Sequence, residues 1–230
     1  MLFRSRAYKN NDRYQVTPEL HPGLLKSYYA CVSYMDAQVG RVLQHLDNLG
    51  LRDNTIVVFT SDHGYLLGEH HKFQKQHLFE EATRIPFIIS VPWLTGEHGK
   101  MTNKITELID LYPTLAELAH LPAPDSLQGT SLMPLLEDVN SAGWTKQEAF
   151  TISRSGGESL RTDEWRFTQW GFGERGFELY DRVNDPGEFT NLADNPTYAV
   201  QLGTMKARLE KKRLEAGYET YRQKREQAQR

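Results

Sequence analysis

Four histidines, four acids and two lysines crowd into one stretch of the chain, residues 55–86. The stretch opens with an apolar run rich in β-branched residues and breaks at once into the sequence SDHG at 61–64. The adjacent carboxylate and imidazole of Asp62 and His63 are suited to binding a divalent metal ion. Lys75 follows on the same loop, and a lysine beside such an ion can hold the oxygens of a sulfuryl or phosphoryl group. The residue types therefore predict a metal-assisted site for an oxyanion.

Adjacent side chains on a regular strand point to opposite faces, so Asp62 and His63 can share an ion only where the strand ends. Gly64 predicts that break, because glycine admits backbone angles that other residues resist. The two side chains are then expected at the carboxyl end of a buried strand, in the crevice above the sheet. An ordinary turn, in which the backbone satisfies the histidine, is the alternative interpretation of these residues.

The loop carries a second histidine of interest, His70, in a Gly-Glu-His run. It then returns toward the next apolar run through Glu80, Glu81 and Arg84. The spacing of these three residues favours an ion pair on a helix face over catalytic contacts.

Hydrophobic periodicity predicts the elements that must position these groups. Apolar side chains recur at threes and fours over residues 25–49, with Pro22 in the first turn and Gly50 placed to end the helix. A short polar turn leads into a strand at 55–60, and the resulting αβ unit is typical of parallel sheets. Cys31 lies in the apolar pattern of the helix and is expected to be buried and inert.

Two further elements are predicted in the first part of the chain. Residues 85–91 form an apolar run without alternation, which indicates a strand covered on both faces. Asp110 is placed to cap a helix at 111–119, and a shorter helix is predicted at 132–136.

After about residue 140, short apolar runs alternate with glycine-rich or acidic turns, the pattern of an antiparallel meander. We therefore predict an α/β chain. Residues 1–140 are expected to form part of a mostly parallel sheet between helices, preceded by a loop over 1–20. Residues 141–230 are expected to form a small antiparallel subdomain that ends in an amphipathic helix from 204 onward.

Composition limits the classes of function. The 230 residues carry a formal net charge of -3 with a pI near 6.2, so no overall basic surface favours nucleic acid. No apolar run approaches the ~20 residues of a membrane span, and residues 1–16 contain no apolar segment of signal-peptide length. The single cysteine excludes an internal disulfide framework. The sequence thus predicts neither a nucleic-acid partner nor a membrane span, and a ligand must be inferred from the local site.

The sequence SDHGYLLGEHHKFQKQHLFEEATRIPFIISVP at 61–92 closely resembles the sulfatase branch of the alkaline-phosphatase-like superfamily, in particular its iduronate-2-sulfatase-like members. The preceding helix resembles the corresponding helix of that family. The segments ITELIDLYPTLAELAHL and LQGTSLMPLL resemble the part of the family that follows the strand at 55–60. The segments LRTDEWRFTQW and ELYDRVNDPGEFTNLADNP resemble the antiparallel sheet that closes the family's fold, so the matches occur in the family's order. The resemblance covers residues 27–196.

The resemblance implies roles for four residues. Asp62 matches the carboxylate that binds the active-site calcium, and His63 matches the neighbouring ligand position, where many members have asparagine. Lys75 matches the lysine that contacts the substrate sulfate, and His70 lies in a family-typical Gly-Glu-His, either behind the ligands or near the leaving group. Calcium prefers oxygen ligands, so the imidazole leaves zinc or another softer ion open. The implied substrate is a sulfated sugar such as an iduronate 2-sulfate, or another sulfate ester.

The chain departs from the family pattern in one respect that bears on catalysis. Members convert the Cys or Ser of a Cys/Ser-x-Pro-x-Arg motif to formylglycine, which attacks sulfur, whereas the 230 residues contain neither that motif nor an Asp-Asp pair. Cys31 is followed by neither the proline nor the arginine. We therefore expect the C-terminal portion of a sulfatase, inactive on its own. Members are often periplasmic, secreted or lysosomal, and these residues select none of the three.

Two other functions fit the same residues. A phosphodiesterase or phosphonate hydrolase of the same superfamily has similar Asp-His-Gly metal sites. A non-catalytic module could instead hold a sulfated glycan or a partner subunit through the loop and the predicted sheet at 149–180. The fold does not separate these functions, because function depends on the site that the fold carries.

Overall fold

The longest helix, α1, spans His21–Asn48 and confirms the helix predicted from the apolar periodicity. Our computed structural model describes residues 17–217, so the loop predicted before residue 17 and the helical positions predicted after 217 lie outside it. Pro22 lies in the first turn of α1, where its missing N–H is not needed. Gly50 has a φ of 66° and donates its N–H to the Asp47 carbonyl at 2.9 Å, which ends the helix as predicted.

The apolar stripe of α1 is not covered. No residue of the helix is buried among residues 17–217, and Cys31 is exposed. The expectation of a buried Cys31 is therefore wrong, because no described element packs over that part of the helix. The N-terminal part of α1 does make contacts, since the ring centroids of Tyr28 and Tyr65 lie 5.2 Å apart, and Tyr65 belongs to the loop at 61–86.

Strands β1 (Val57–Thr60) and β4 (Phe87–Ser90) lie within the two predicted apolar runs and pair with each other. The pairing is antiparallel, with Val57 opposite Ser90 and Thr60 opposite Phe87. All strand pairings in the described part of the chain are antiparallel, so a parallel neighbour of β1 is not found there. Ile88 is 60% exposed, and the expectation that both faces of this strand are covered is wrong because no described element packs on that face. The antiparallel return brings the loop at 61–86 back to the edge where it began.

This loop has little regular structure of its own. Two short strands, β2 (Leu66–Leu67) and β3 (Phe73–Gln74), form an antiparallel pair within it, and a 3-10 helix at Glu69–His71 connects them. A single helical turn, α2 (Glu80–Thr83), closes the loop just before β4.

Helices α3 (Leu111–Leu118) and α4 (Met133–Glu137) follow β4 near their predicted positions. Asp110 is fully buried before α3, but its carboxylate accepts from the amides of Glu107 and Thr130, both at 2.8 Å, instead of from the first turn of α3. It also pairs with Lys146 at 2.6 Å. A small core lies beneath α4 and is formed by Leu132, Leu135 and Trp144 with Phe87 and Ile89.

The predicted meander is confirmed as a four-stranded antiparallel sheet in the order β5-β6-β7-β8. Its strands are β5 (Ala149–Ile152), β6 (Gly157–Arg161), β7 (Trp165–Trp170) and β8 (Phe177–Asp181). Helix α5 (Ala199–Glu215) packs on one face, where the main core is formed by Leu160, Phe167, Leu179, Met205 and Leu209. The division of the chain at residue 140 stays a prediction.

The helices of the described range do not suit a bilayer. Among residues 17–217, none combines the length and the apolarity that crossing a membrane requires.

Candidate active site

Asp62 and His63 lie directly after β1, where the strand ends, and their side chains approach each other. The Nε2 atom of His63 is 3.5 Å from Oδ1 of Asp62. The Asp62 side chain is 82% exposed, whereas that of His63 is 35% exposed. The Nδ1 atom of His63 donates to the Gly64 carbonyl at 2.8 Å, so the lone pair of the neutral ring lies on Nε2, toward Asp62. The backbone thus satisfies one ring nitrogen and leaves the other as a potential ligand.

The turn that carries these two residues is held by the backbone of α2. The amide of Gly64 donates to the Ala82 carbonyl at 2.8 Å, and the amide of Tyr65 donates to the Glu81 carbonyl at 3.1 Å. A Cβ at residue 64 would lie 1.9 Å from the Glu81 carbonyl oxygen. Gly64 does not have a positive φ, so glycine is needed there for the close approach of two backbone segments and not, as predicted, for an unusual angle.

The pair fits part of a metal shell. Two ligands of one ion that subtend a right angle at ~2.4 Å lie about 3.4 Å apart, close to the separation of the two facing atoms here. An oxygen and a nitrogen donor suit calcium less well than an all-oxygen set, so the donor chemistry leaves the metal open. No group of three or more potential His, Cys, Asp or Glu ligands occurs within residues 17–217. The pair therefore supplies two positions of a shell and no more.

Lys75 opens onto the same cleft as Asp62 and His63, a volume of about 1560 Å³. Its side chain is exposed, and no described hydrogen bond or ion pair holds it. The residues on either side, Gln74 and Gln76, have φ values of 81° and 74°, a left-handed conformation that non-glycine residues rarely adopt. Lys75 thus lies in a segment of unusual backbone conformation at the cleft, and its exposed ammonium group is available to a ligand.

His77 also lines the cleft. Burial and the nearby charge of Lys72 lower the pKa of His77 to about 4, so the ring is neutral near pH 7. It can donate or accept a hydrogen bond there but brings no positive charge.

His70 lies elsewhere. Its ring stacks on Phe79 at 3.7 Å and is tilted against Phe189 at 5.1 Å, and its side chain is 8% exposed. Burial lowers the pKa of His70, although the charge of Glu81, 3.7 Å from its Nε2, opposes this. His70 is not among the described residues that line the cleft. A catalytic role for His70 stays a prediction, and its observed contacts are those of a packed side chain.

The antiparallel sheet also contributes residues to the cleft, and the sequence analysis did not single out these residues. The cleft is lined there by Arg154 in the β5–β6 turn, Arg161 at the end of β6 and Asp163 in the β6–β7 turn. Burial lowers the pKa of Arg161, whereas the negative charge of Glu80, whose Oε1 lies 3.6 Å from the guanidinium, acts to raise it. Two arginines and an aspartate in or next to hairpin turns are the signal that could have indicated this contribution.

A buried ion network joins the end of the loop to this sheet. Arg166 of β7 and Glu188 are each 1% exposed and pair at 2.6 Å, and Arg166 also bonds Glu80 of α2. Arg182 contacts Glu188 at 2.7 Å and Glu80 at 2.9 Å. Glu80 thus makes ion pairs, as predicted, but with a distant sheet and not along its own helix face.

Two family models match the chain. The model described as Sulfatase matches residues 4–121, and the model described as N-sulphoglucosamine sulphohydrolase, C-terminal, matches residues 68–215.

Relatives and solved structures agree with these matches. An arylsulfatase of Clostridium perfringens is 37% identical over 202 residues, which are 85% of this chain and 41% of the relative. A solved structure of a protein in complex with its substrate D-glucosamine-2-N,6-O-disulfate is 31% identical with a TM-score of 0.73, covering 79% of this chain and 38% of that chain. The phosphonate monoester hydrolase of Agrobacterium radiobacter is 28% identical with a TM-score of 0.72, covering 82% of this chain and 40% of that chain. The chain therefore spans about two fifths of the length of these proteins.

Proposed function

Because the chain belongs to the sulfatase family of the alkaline-phosphatase-like superfamily, we propose that it serves in the hydrolysis of a sulfate ester carried by a sugar. The observation that carries the proposal is that Asp62, His63 and Lys75 open onto one cleft. The similar structure bound to a sulfated glucosamine supports a sugar as the substrate. Iduronate 2-sulfate, the narrower substrate predicted from the sequence, belongs to this proposal.

Each of the three residues has a defined task in the proposed site. Asp62 and His63 hold a divalent cation, proposed to be calcium, through Oδ1 and Nε2. When bound, such a cation supplies Lewis-acid polarisation of an ester oxygen. Lys75 holds a sulfate oxygen with its ammonium group, and the hydrogen bond from His63 Nδ1 to Gly64 keeps the ring in the tautomer that can bind the cation.

None of these three residues is proposed as the nucleophile that attacks the sulfate ester. The motif that yields formylglycine in the family does not occur in the 230 residues. Without a nucleophile, the residues present can bind and orient an ester but cannot start its cleavage. We propose that the chain on its own binds a sulfate ester without turning it over.

Binding and turnover can be tested on the same purified chain. Isothermal titration with glucosamine 6-sulfate in the presence of calcium is expected to show binding that Lys75→Ala weakens about 10- to 100-fold, the loss of a hydrogen bond to a charged group. Lys211→Ala, which removes a lysine that is 78% exposed on α5, is the matched control and should leave binding unchanged.

Two results would contradict the proposal. Equal affinity in the wild type and the Lys75→Ala variant would remove Lys75 from the site. Release of product from 4-nitrocatechol sulfate above the rate of the Lys75→Ala variant would overturn the claim that the chain is inactive on its own.

Hydrolysis of a phosphonate monoester is the second candidate, favoured by the similarity to the phosphonate monoester hydrolase. A lysine beside a divalent cation binds a phosphonate oxygen as well as a sulfate oxygen. Titration of phenyl phosphonate against glucosamine 6-sulfate separates the two, since the leading proposal expects tighter binding of the sulfate ester.

A further inference from the structure

We propose that the antiparallel sheet positions the Asp62–Gly64 turn through an ionic clamp, defined as Glu80, Arg166, Arg182 and Glu188. The inference rests on the proposed function, because it assigns to these residues the task of holding the cation-binding turn in place. Glu188 is the central member and acts as a positioning residue, since it does not line the cleft.

The side chains of the clamp contact one another and are largely buried. Glu188 and Arg166 are each 1% exposed, and the side chain of Arg182 is 8% exposed. Oε1 of Glu188 accepts from Arg166 at 2.6 Å and from Arg182 at 2.7 Å. Oε2 of Glu188 accepts the backbone N–H of Glu80 at 3.0 Å. Glu188 therefore holds α2 through its backbone, while the two arginines hold the Glu80 side chain.

The clamp residue Glu80 is followed directly by the two residues that hold the cation-binding turn. The carbonyls of Glu81 and Ala82, directly after Glu80, accept the amides of Tyr65 and Gly64. A movement of Glu80 is therefore transmitted through the backbone of α2 to the turn. The close approach at Gly64, where a Cβ would meet the Glu81 carbonyl, leaves no slack in this connection.

The conformation of Glu188 indicates that its placement is maintained against strain. Its φ is 58°, in the left-handed region, although the residue is neither glycine nor exposed. Strained residues persist where surrounding contacts determine them, and they are concentrated at functional sites. The next residue, Phe189, lies against His70 of the same loop, so one segment contacts the loop at two points.

A purely stabilising network is the competing interpretation. Removing Glu188 would leave two buried arginine charges facing one carboxylate, which destabilises the fold whatever the network positions. The test must therefore separate a local change at the turn from a global loss of stability.

The hydrogen-exchange experiment compares three variants of the full chain. Glu188→Gln breaks the clamp. Glu148→Gln breaks another ion pair of the same part of the chain, with Arg208 at 2.6 Å, and is the matched control. Leu209→Ala removes a core side chain that is 1% exposed and supplies a destabilised control with an intact clamp.

Hydrogen exchange of the Gly64 and Tyr65 amides is the first measurement. We expect these amides to exchange at least about tenfold faster in Glu188→Gln, at a temperature where the amides of β7 remain protected. Glu148→Gln should exchange as the wild type does. Unchanged exchange at the two amides in Glu188→Gln, or an equal increase in Leu209→Ala at matched stability, would overturn the inference.

Terbium titration, followed by its luminescence, separates the inference from the proposed function. Asp62→Asn should weaken terbium binding. Glu188→Gln should weaken it about fivefold or more, although this variant keeps the Asp62 side chain. If Asp62→Asn has no effect, the proposed cation site fails, and the clamp is judged by hydrogen exchange alone. If Asp62→Asn weakens binding and Glu188→Gln does not, the clamp fails while the cation site stands.

Discussion

Replacing Gly64 with alanine is expected to destabilise the protein by about 2–6 kcal/mol. The added Cβ would lie 1.9 Å from the Glu81 carbonyl oxygen and 3.1 Å from Cα of Ala82, so the two backbone segments must separate. Overpacking of this kind costs about 1–3 kcal/mol. The separation also breaks the hydrogen bonds that the amides of Gly64 and Tyr65 make at 2.8 and 3.1 Å, each contributing ~0.5–1.5 kcal/mol.

Urea unfolding followed by tryptophan fluorescence measures this loss. At a slope of ~2 kcal/mol/M, the midpoint should fall by about 1–3 M. Gly40→Ala is the matched control, because a Cβ at this position in α1 meets no atom within 4 Å. That variant should gain about 0.5–1 kcal/mol from helix propensity. A Gly64→Ala midpoint equal to that of the wild type would refute the argument that the loop and α2 are held at contact distance.

Three further predictions follow from buried or exposed single groups. Burial raises the pKa of Glu178 from 4.5 to about 7, so the folded state binds more protons than the unfolded state between these pH values. The free energy of unfolding should therefore fall as the pH rises through that window. The urea midpoint of Glu178→Gln should not show this fall, and a fall that persists in the variant would contradict the assignment to Glu178. Asp110→Ala should lower the free energy of unfolding by about 3–5 kcal/mol, because it removes one of the two carboxylates that pair with Lys146 and leaves the amides of Glu107 and Thr130 without their acceptor, and an unchanged melting temperature would contradict this. Cys31 should react with a thiol reagent without denaturant, and protection of the thiol until unfolding would show that α1 is covered in solution.

Elements with a local pattern could be predicted from the sequence. The period of apolar residues, Pro22 and Gly50 placed α1 to within a residue or two of its observed bounds. The α/β class is confirmed by the likeness to solved sulfatase-family structures. The adjacency of Asp62 and His63 after an apolar run was enough to bring both side chains to one strand end, because a strand that stops releases its side chains from strict alternation.

Features that depend on distant contacts could not be predicted. The pairing of Glu80 with Arg166 joins residues 86 positions apart, and charge type alone does not show which acid meets which base. The antiparallel return of β4 depends on the path of the 61–86 loop, which has no periodicity to indicate it. The requirement for Gly64 was correctly located but wrongly explained, since a space requirement arises only once α2 packs against the turn.

The short β1–β4 ladder also bears on how the chain behaves in concentrated solution. Within residues 17–217 each of the two strands has one partner, so each has an outer edge that could template another chain. On the β4 side, Pro86 lies directly before the strand and Pro92 lies two residues after it, and neither has an N–H to donate. An added strand would therefore find an open ladder of only the four residues of β4, too short to seed fibrillar growth from that edge.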